Sequence, residues 1–127
     1  MTWPKNVRDH WNRVAALECL ITSAPATIHH VHGRSVGARL VELGMCGTKG
    51  LSQRGYSDAL VIPLSADLHY LGSKSIDGGK GVDAWESEHG SQAEMVDEVS
   101  RLVGYSLWEL HRQWFESPKS KRRYGTT

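Results

Sequence analysis

Apolar positions along the chain alternate between helical and strand spacing, and the changes mark the elements. Val7, Trp11, Val14 and Ala15 recur at helical intervals, and Pro4 suits a first turn, so the pattern predicts a helix over Pro4 to Glu18. Cys19 to Thr22 is a short apolar run, Ser23-Ala24-Pro25-Ala26 punctuates it, and Thr27 to Val31 follows with β-branched residues. That pair reads as a β-hairpin whose second strand ends in histidines just before Gly33. Gly33 to Ser57 is rich in glycine and basic residues and reads as a long loop, with a helical turn near Ala38 to Leu43. Ala59 to Leu64 is a third short strand that Pro63 should end.

Ser65 to Leu71 then reads as a short helix with Ser65 as its N-cap, and Ser73 to Gly81 as a second glycine-rich loop. Val82 to His89 is a helix stopped by Gly90. Two capping-box patterns follow, Ser91 to Glu94 and Ser106 to Glu109. The first opens a helix with apolar Met95, Val96, Val99, Leu102 and Val103, closed by Gly104; the second opens a last helix through Phe115. From Ser117 the chain is polar and basic. The expected organisation is one domain over 1–116 and a flexible tail over 117–127.

Composition narrows this picture. A chain of 127 residues with five Trp can bury a core without staples. Two cysteines, neither in a C-x-x-C, give no disulfide framework and point to a reducing, cytoplasmic setting. No signal peptide or membrane span is apparent. The formal net charge is only +1, yet Arg34, Arg39, Lys49 and Arg54 cluster against a single Glu42, and the tail adds Lys119, Lys121, Arg122 and Arg123. Such local clusters can face a polyanion even when the whole chain is near neutral.

Chemistry concentrates at the histidines. Three of seven fall within four positions: His29, His30 and His32. A regular strand puts His30 opposite His29, with His32 on the side of His30, although twist at a strand end can bring a pair to one site. His69 follows the third strand, on the predicted short helix. Strand, histidine pair, loop, strand and helix with a histidine is the layout of a ββα metal site. Such a site holds a divalent ion on two or three side chains, while an imidazole off the metal takes a proton from water. His10, His89 and His111 sit inside helical patterns and read as packing residues, as do Trp85, Trp108 and Trp114.

Three strings carry a resemblance. CLITSAPATIHHVHG looks like the opening of phage Ref-type, RecA-dependent nucleases of the HNH (His-Me finger) kind, where a C-x-x-C hairpin leads to a histidine pair. ALVIPLSADLHYLG is similar to that family's strand, Pro-Leu-Cys and second histidine pair. GGKGVDAWESEHGSQAEMVDEV resembles its later aromatic and Gly-Ser segment, and the three come in the family's order. The resemblance implies an α+β fold with a ββα-metal core, flanked by N- and C-terminal helices. It implies metal-dependent endonuclease action on DNA, in phage or prophage recombination, with a RecA filament as partner.

Carried onto this chain, it makes His29 and His69 metal ligands and His30 the general base, with Asp58 ligating or orienting. The expected ion is Mg²⁺, with Mn²⁺ or Zn²⁺ as alternatives. Arg34, Arg39, Lys49, Arg54 and the four basic tail residues are the expected DNA contacts. The chain departs from the family at the structural zinc: Thr22, Ser65 and Leu68 stand where ligands would be, beside Cys19. No structural zinc is therefore expected, and Leu20, Ile21 and Leu68 are the apolar replacements. The alternative function is an inactive DNA-binding or recombination accessory protein on the same scaffold. A further alternative is protein interaction or inhibition through Trp85, Trp108 and Trp114.

Overall fold

A computed structural model describes residues 2–45 and 57–116, and these form an α+β domain around one two-stranded antiparallel sheet. Strand β1 is Thr27–His30 and strand β2 is Val61–Leu64. They pair with Thr27 opposite Leu64, His29 opposite Ile62 and His30 opposite Val61. The hairpin expected between Cys19–Thr22 and Thr27–Val31 does not form: Cys19 to Thr22 is a turn. The β2 partner is apolar at every position and buried throughout, a better neighbour than a four-residue run that ends in the polar Thr22.

Pro63 does not end β2, and the ladder explains why. The Val31 N–H bonds the Leu60 carbonyl, so residues of that parity form the hydrogen-bonded pairs. Pro63 lies opposite Ile28 in the other parity, where a missing N–H breaks no ladder bond. Its carbonyl points outward and accepts from the Leu20 N–H at 3.2 Å.

Helix α1 is Val7–Ala15, capped by the Asn6 side chain, which accepts the Asp9 N–H. Val14 and the imidazole of His10 are its buried points. Helix α2, Arg34–Glu42, takes the first part of the expected loop, whose residues 46–56 lie outside the described ones; Val36 and Leu40 anchor it in the core. The one-turn helix α3 is Ala66–His69. After a π-type turn over Ile76–Lys80 come α4 (Val82–His89), α5 (Gln92–Val103) and α6 (Leu107–His111). Ser91 and Ser106 cap α5 and α6 as their sequence patterns predict, and Gly104 closes α5 in the left-handed region.

The core joins β2 to α5 and α6 through Leu60, Ile62, Leu64, Val96, Val99, Leu107 and Leu110, with Trp85 fully enclosed. Trp108 and Trp114 are also buried, so the three tryptophans build the core and offer no surface to a partner. Among the described residues no helix is long and apolar enough to cross a membrane.

Candidate metal centre

The ladder parity decides which side chains share a face. Thr27 and His29 project from one face of β1, Ile28 and His30 from the other. His69, at the end of α3, lies over Thr27 and His29; the His29 and His69 ring centroids are 4.8 Å apart. The chain has left the strand by His32, which turns back so that its ring lies 5.5 Å from that of His29. His32 therefore joins His29 rather than His30.

The π-type turn brings Asp77 into the middle of these rings. Ser75 shapes it: its hydroxyl donates to the Gly72 carbonyl and accepts the Gly78 N–H. The turn packs so tightly that a Cβ on Gly78 would lie 2.3 Å from the Tyr70 carbonyl oxygen, and one on Gly79 would lie 2.9 Å from Ser73 Cα. The glycines of this loop are thus the mount of a carboxylate. Asp77 Oδ2 is 3.3 Å from His29 Nδ1 and 3.1 Å from His69 Nε2, while Oδ1 is 3.1 Å from His32 Nε2.

Hydrogen bonds on the far sides of two rings settle where their protons sit. Thr27 has one hydroxyl proton and donates it to the Leu64 carbonyl at 2.9 Å. It must then accept from His69, whose Nδ1 is 2.7 Å away, so Nδ1 carries the proton and Nε2 the lone pair. Gln92 is oriented by its two bonds to the His32 backbone: Nε2 donates to the carbonyl, Oε1 accepts from the N–H. Oε1 therefore accepts from His29 Nε2, 2.8 Å away, and His29 Nδ1 carries the lone pair. That Nδ1 is fully buried and makes no hydrogen bond.

Two imidazole lone pairs thus converge on one carboxylate oxygen. Acceptors facing an acceptor repel unless a proton or a cation lies between them. A proton is disfavoured at His69, because burial and the nearby His29 lower its basicity, Asp77 pulling the other way. Imidazoles that face one carboxylate, two of them oriented by hydrogen bonds on their outer nitrogens, are the features of a metal site. His29, His32 and Asp77 offer ligand atoms within 4.8 Å of one another; His69 stands outside that group, with its Nε2 3.1 Å from Asp77 Oδ2. The residues fit a divalent ion.

His30 has a different setting. Its Nε2 is 2.9 Å from Asp58 Oδ1, and its ring meets Trp11 edge-on at 5.1 Å. The Trp11 indole N–H bonds the Asp58 carbonyl and pins that residue. The structure thus places Asp58 against His30 and not in the group around Asp77. His30 still lies near enough to His69 to lower its basicity.

The basic residues divide. Arg34 opens α2, two positions after His32, is exposed, and makes no ion pair among the described residues. Arg39 is committed within the fold: it grips both Asp97 oxygens at 2.7 Å and lies over the Trp108 ring. Lys49, Arg54, Lys119, Lys121, Arg122 and Arg123 lie outside the described residues, as does the tail assignment. Where the resemblance would put a structural zinc, the buried Cys19 sulfur accepts the Thr22 N–H at 3.5 Å. Leu20 and Leu68 pack on the core there, but Ile21 is exposed and adds no packing.

Sequence reasoning missed Asp77, His32, Thr27 and Gln92 as parts of one site. A carboxylate between glycines and a glutamine at a helix start carry no signal of their own. Comparison with known protein families, curated proteins and solved structures finds no match.

Proposed function

We propose that the chain is a metal-dependent endonuclease that hydrolyses DNA phosphodiester bonds on a ββα-metal core. The observation that carries this reading is the convergence of two ring nitrogens, the buried His29 Nδ1 and the partly exposed His69 Nε2, on one Asp77 oxygen; the His30–Asp58 dyad projects from the other face of β1. His29, His69 and Asp77 would hold the ion, with His32 alongside. A bound divalent ion supplies Lewis-acid stabilisation to phosphate and leaving oxygen. His30 takes a proton from the attacking water; the Asp58 carboxylate on one ring nitrogen fixes the tautomer that accepts on the other. Arg34 contacts a backbone phosphate. Three imidazoles and one carboxylate favour Zn²⁺ over the oxygen-seeking Mg²⁺, with Mn²⁺ between them. A recombination setting and a RecA partner belong to this proposal through the sequence resemblance alone.

The test is nicking of supercoiled plasmid with Zn²⁺, Mn²⁺, Mg²⁺ or EDTA. Wild type should nick with metal and not with EDTA. His30→Ala should lose roughly a hundredfold or more in rate, the usual worth of a general base. Equal cleavage by both proteins would sink the assignment. One observation favours the second reading, a non-catalytic DNA-binding protein: four side chains meet at the site, enough to close a tetrahedral shell as in structural zinc centres. That reading expects DNA retardation in gels and no nicking with any metal.

A further inference from the structure

The three imidazoles around Asp77 are not equivalent. His29 is fully buried and His69 is 16% exposed, and each is held by a hydrogen bond on its far nitrogen. His32 is 37% exposed, the most open ring of the three. Its Nε2 faces Asp77, and the ring makes no second hydrogen bond among the described residues. Only its backbone is fixed, by Gln92. Two ligands are therefore set by the fold, while the third can swing about its side-chain torsions. The His32 side of the site is also the side that opens to solvent, next to the exposed Arg34 at the start of α2.

We propose that His32 is a displaceable ligand, which caps the ion in the resting protein and yields its place to a phosphate oxygen. The inference rests on the metal reading above and says how a four-ligand centre becomes an open one. The step is a ligand exchange: the imidazole leaves, one phosphate oxygen enters, and no covalent bond of the protein is made or broken. The oxyanion brings negative charge toward Arg34. Gln92 holds the His32 backbone in place throughout, so the exchange needs only side-chain rotation.

The experiment uses the full chain loaded with Co²⁺, whose visible absorption is intense in four-coordinate sites and weak in more open ones, with inorganic phosphate as the probe. Wild type should show the intense bands, and phosphate should shift them. His32→Ala and His32→Asn should still bind Co²⁺, show altered bands, and take phosphate at roughly tenfold lower concentration. His69→Ala should lose Co²⁺. If His32→Ala matches wild type in spectrum and phosphate affinity, His32 is no ligand, and the proposal fails while the metal site stands. If His32→Ala and His32→Asn both lose Co²⁺, or saturating phosphate leaves the wild-type bands unmoved, His32 is a permanent ligand and displacement is refuted. If wild type binds no Co²⁺, this proposal and the metal reading fall together.

Discussion

Replacing Thr27 by Val removes one hydroxyl and should weaken metal binding without disturbing the strand. The Thr27 hydroxyl accepts from His69 Nδ1 and donates to the Leu64 carbonyl. Val keeps the β-branched shape that suits a strand. The Leu64 carbonyl lies in a hydrogen-bonded strand pair opposite Thr27 and keeps that partner. His69 is the group that loses. Its Nδ1–H either stays without an acceptor, at about 1–3 kcal/mol, or the proton moves to Nε2 and bonds Asp77. In either case the ion must overcome a cost that wild type avoids, and 1.4 kcal/mol is a factor of ten. Zinc affinity should therefore fall roughly ten- to a hundredfold, as for other partners behind a metal-bound histidine. Calorimetric titration with Zn²⁺ measures this, and Thr27→Ser should bind like wild type. Nitrogen NMR of the metal-free imidazoles adds a direct check: wild-type His69 should be protonated at Nδ1 and Thr27→Val at Nε2. An unchanged affinity in Thr27→Val, or an Nε2–H tautomer in wild type, would refute the reasoning.

Other expectations follow from the same geometry. His111 is fully buried, and burial, with Arg112 adding, lowers its pKa to about 4. The unfolded chain takes up this proton near pH 6.5 and the folded one only near 4, so stability should drop across that window by about 1.4 kcal/mol per pH unit. Denaturant melts of His111→Phe should lack this slope, and an unchanged slope would show that His111 is not its source. Arg34→Ala should weaken DNA retention and reduce the salt slope by about one. Arg39→Ala should leave DNA retention unchanged and cost stability through Asp97 and Trp108; the reverse pattern would reassign both residues. Gly37→Ala, with open space inside α2, should stabilise by about 0.5–1 kcal/mol. Gly33→Ala should destabilise, because φ is +106° and a Cβ would lie 2.8 Å from Val82 Cγ1; thermal melts that rank the two the other way would contradict this.

Local signals in the sequence placed most helices. Ser91, Ser106 and Gly104 mark their helix ends through hydrogen bonds within a few residues, so sequence alone carries them. Strand pairing was not legible in that way. Thr27–His30 reads as a strand, but its partner 34 positions beyond Thr27, beginning at Val61, is chosen by burial of an apolar segment, and a nearby run looked equally suitable. Helix α2 was hidden because Gly33 and Gly37 read as loop, while Val36 and Leu40 supply the core contacts that override them. That the His29 and His69 rings come together is legible in the order of strand, histidine and helix. His32 was assigned to the wrong side because the chain leaves the strand before reaching it. Asp77 and Gln92 act only through tertiary contacts, 45 and 60 residues from His32.

The most direct measurement is an anomalous difference map at the zinc edge from crystals of the protein grown with Zn²⁺. The account predicts one strong peak per chain, about 2.0–2.2 Å from His29 Nδ1, His69 Nε2 and an Asp77 oxygen. A map with no peak there, or with the ion bound at other residues while these stay bonded to one another, would contradict it.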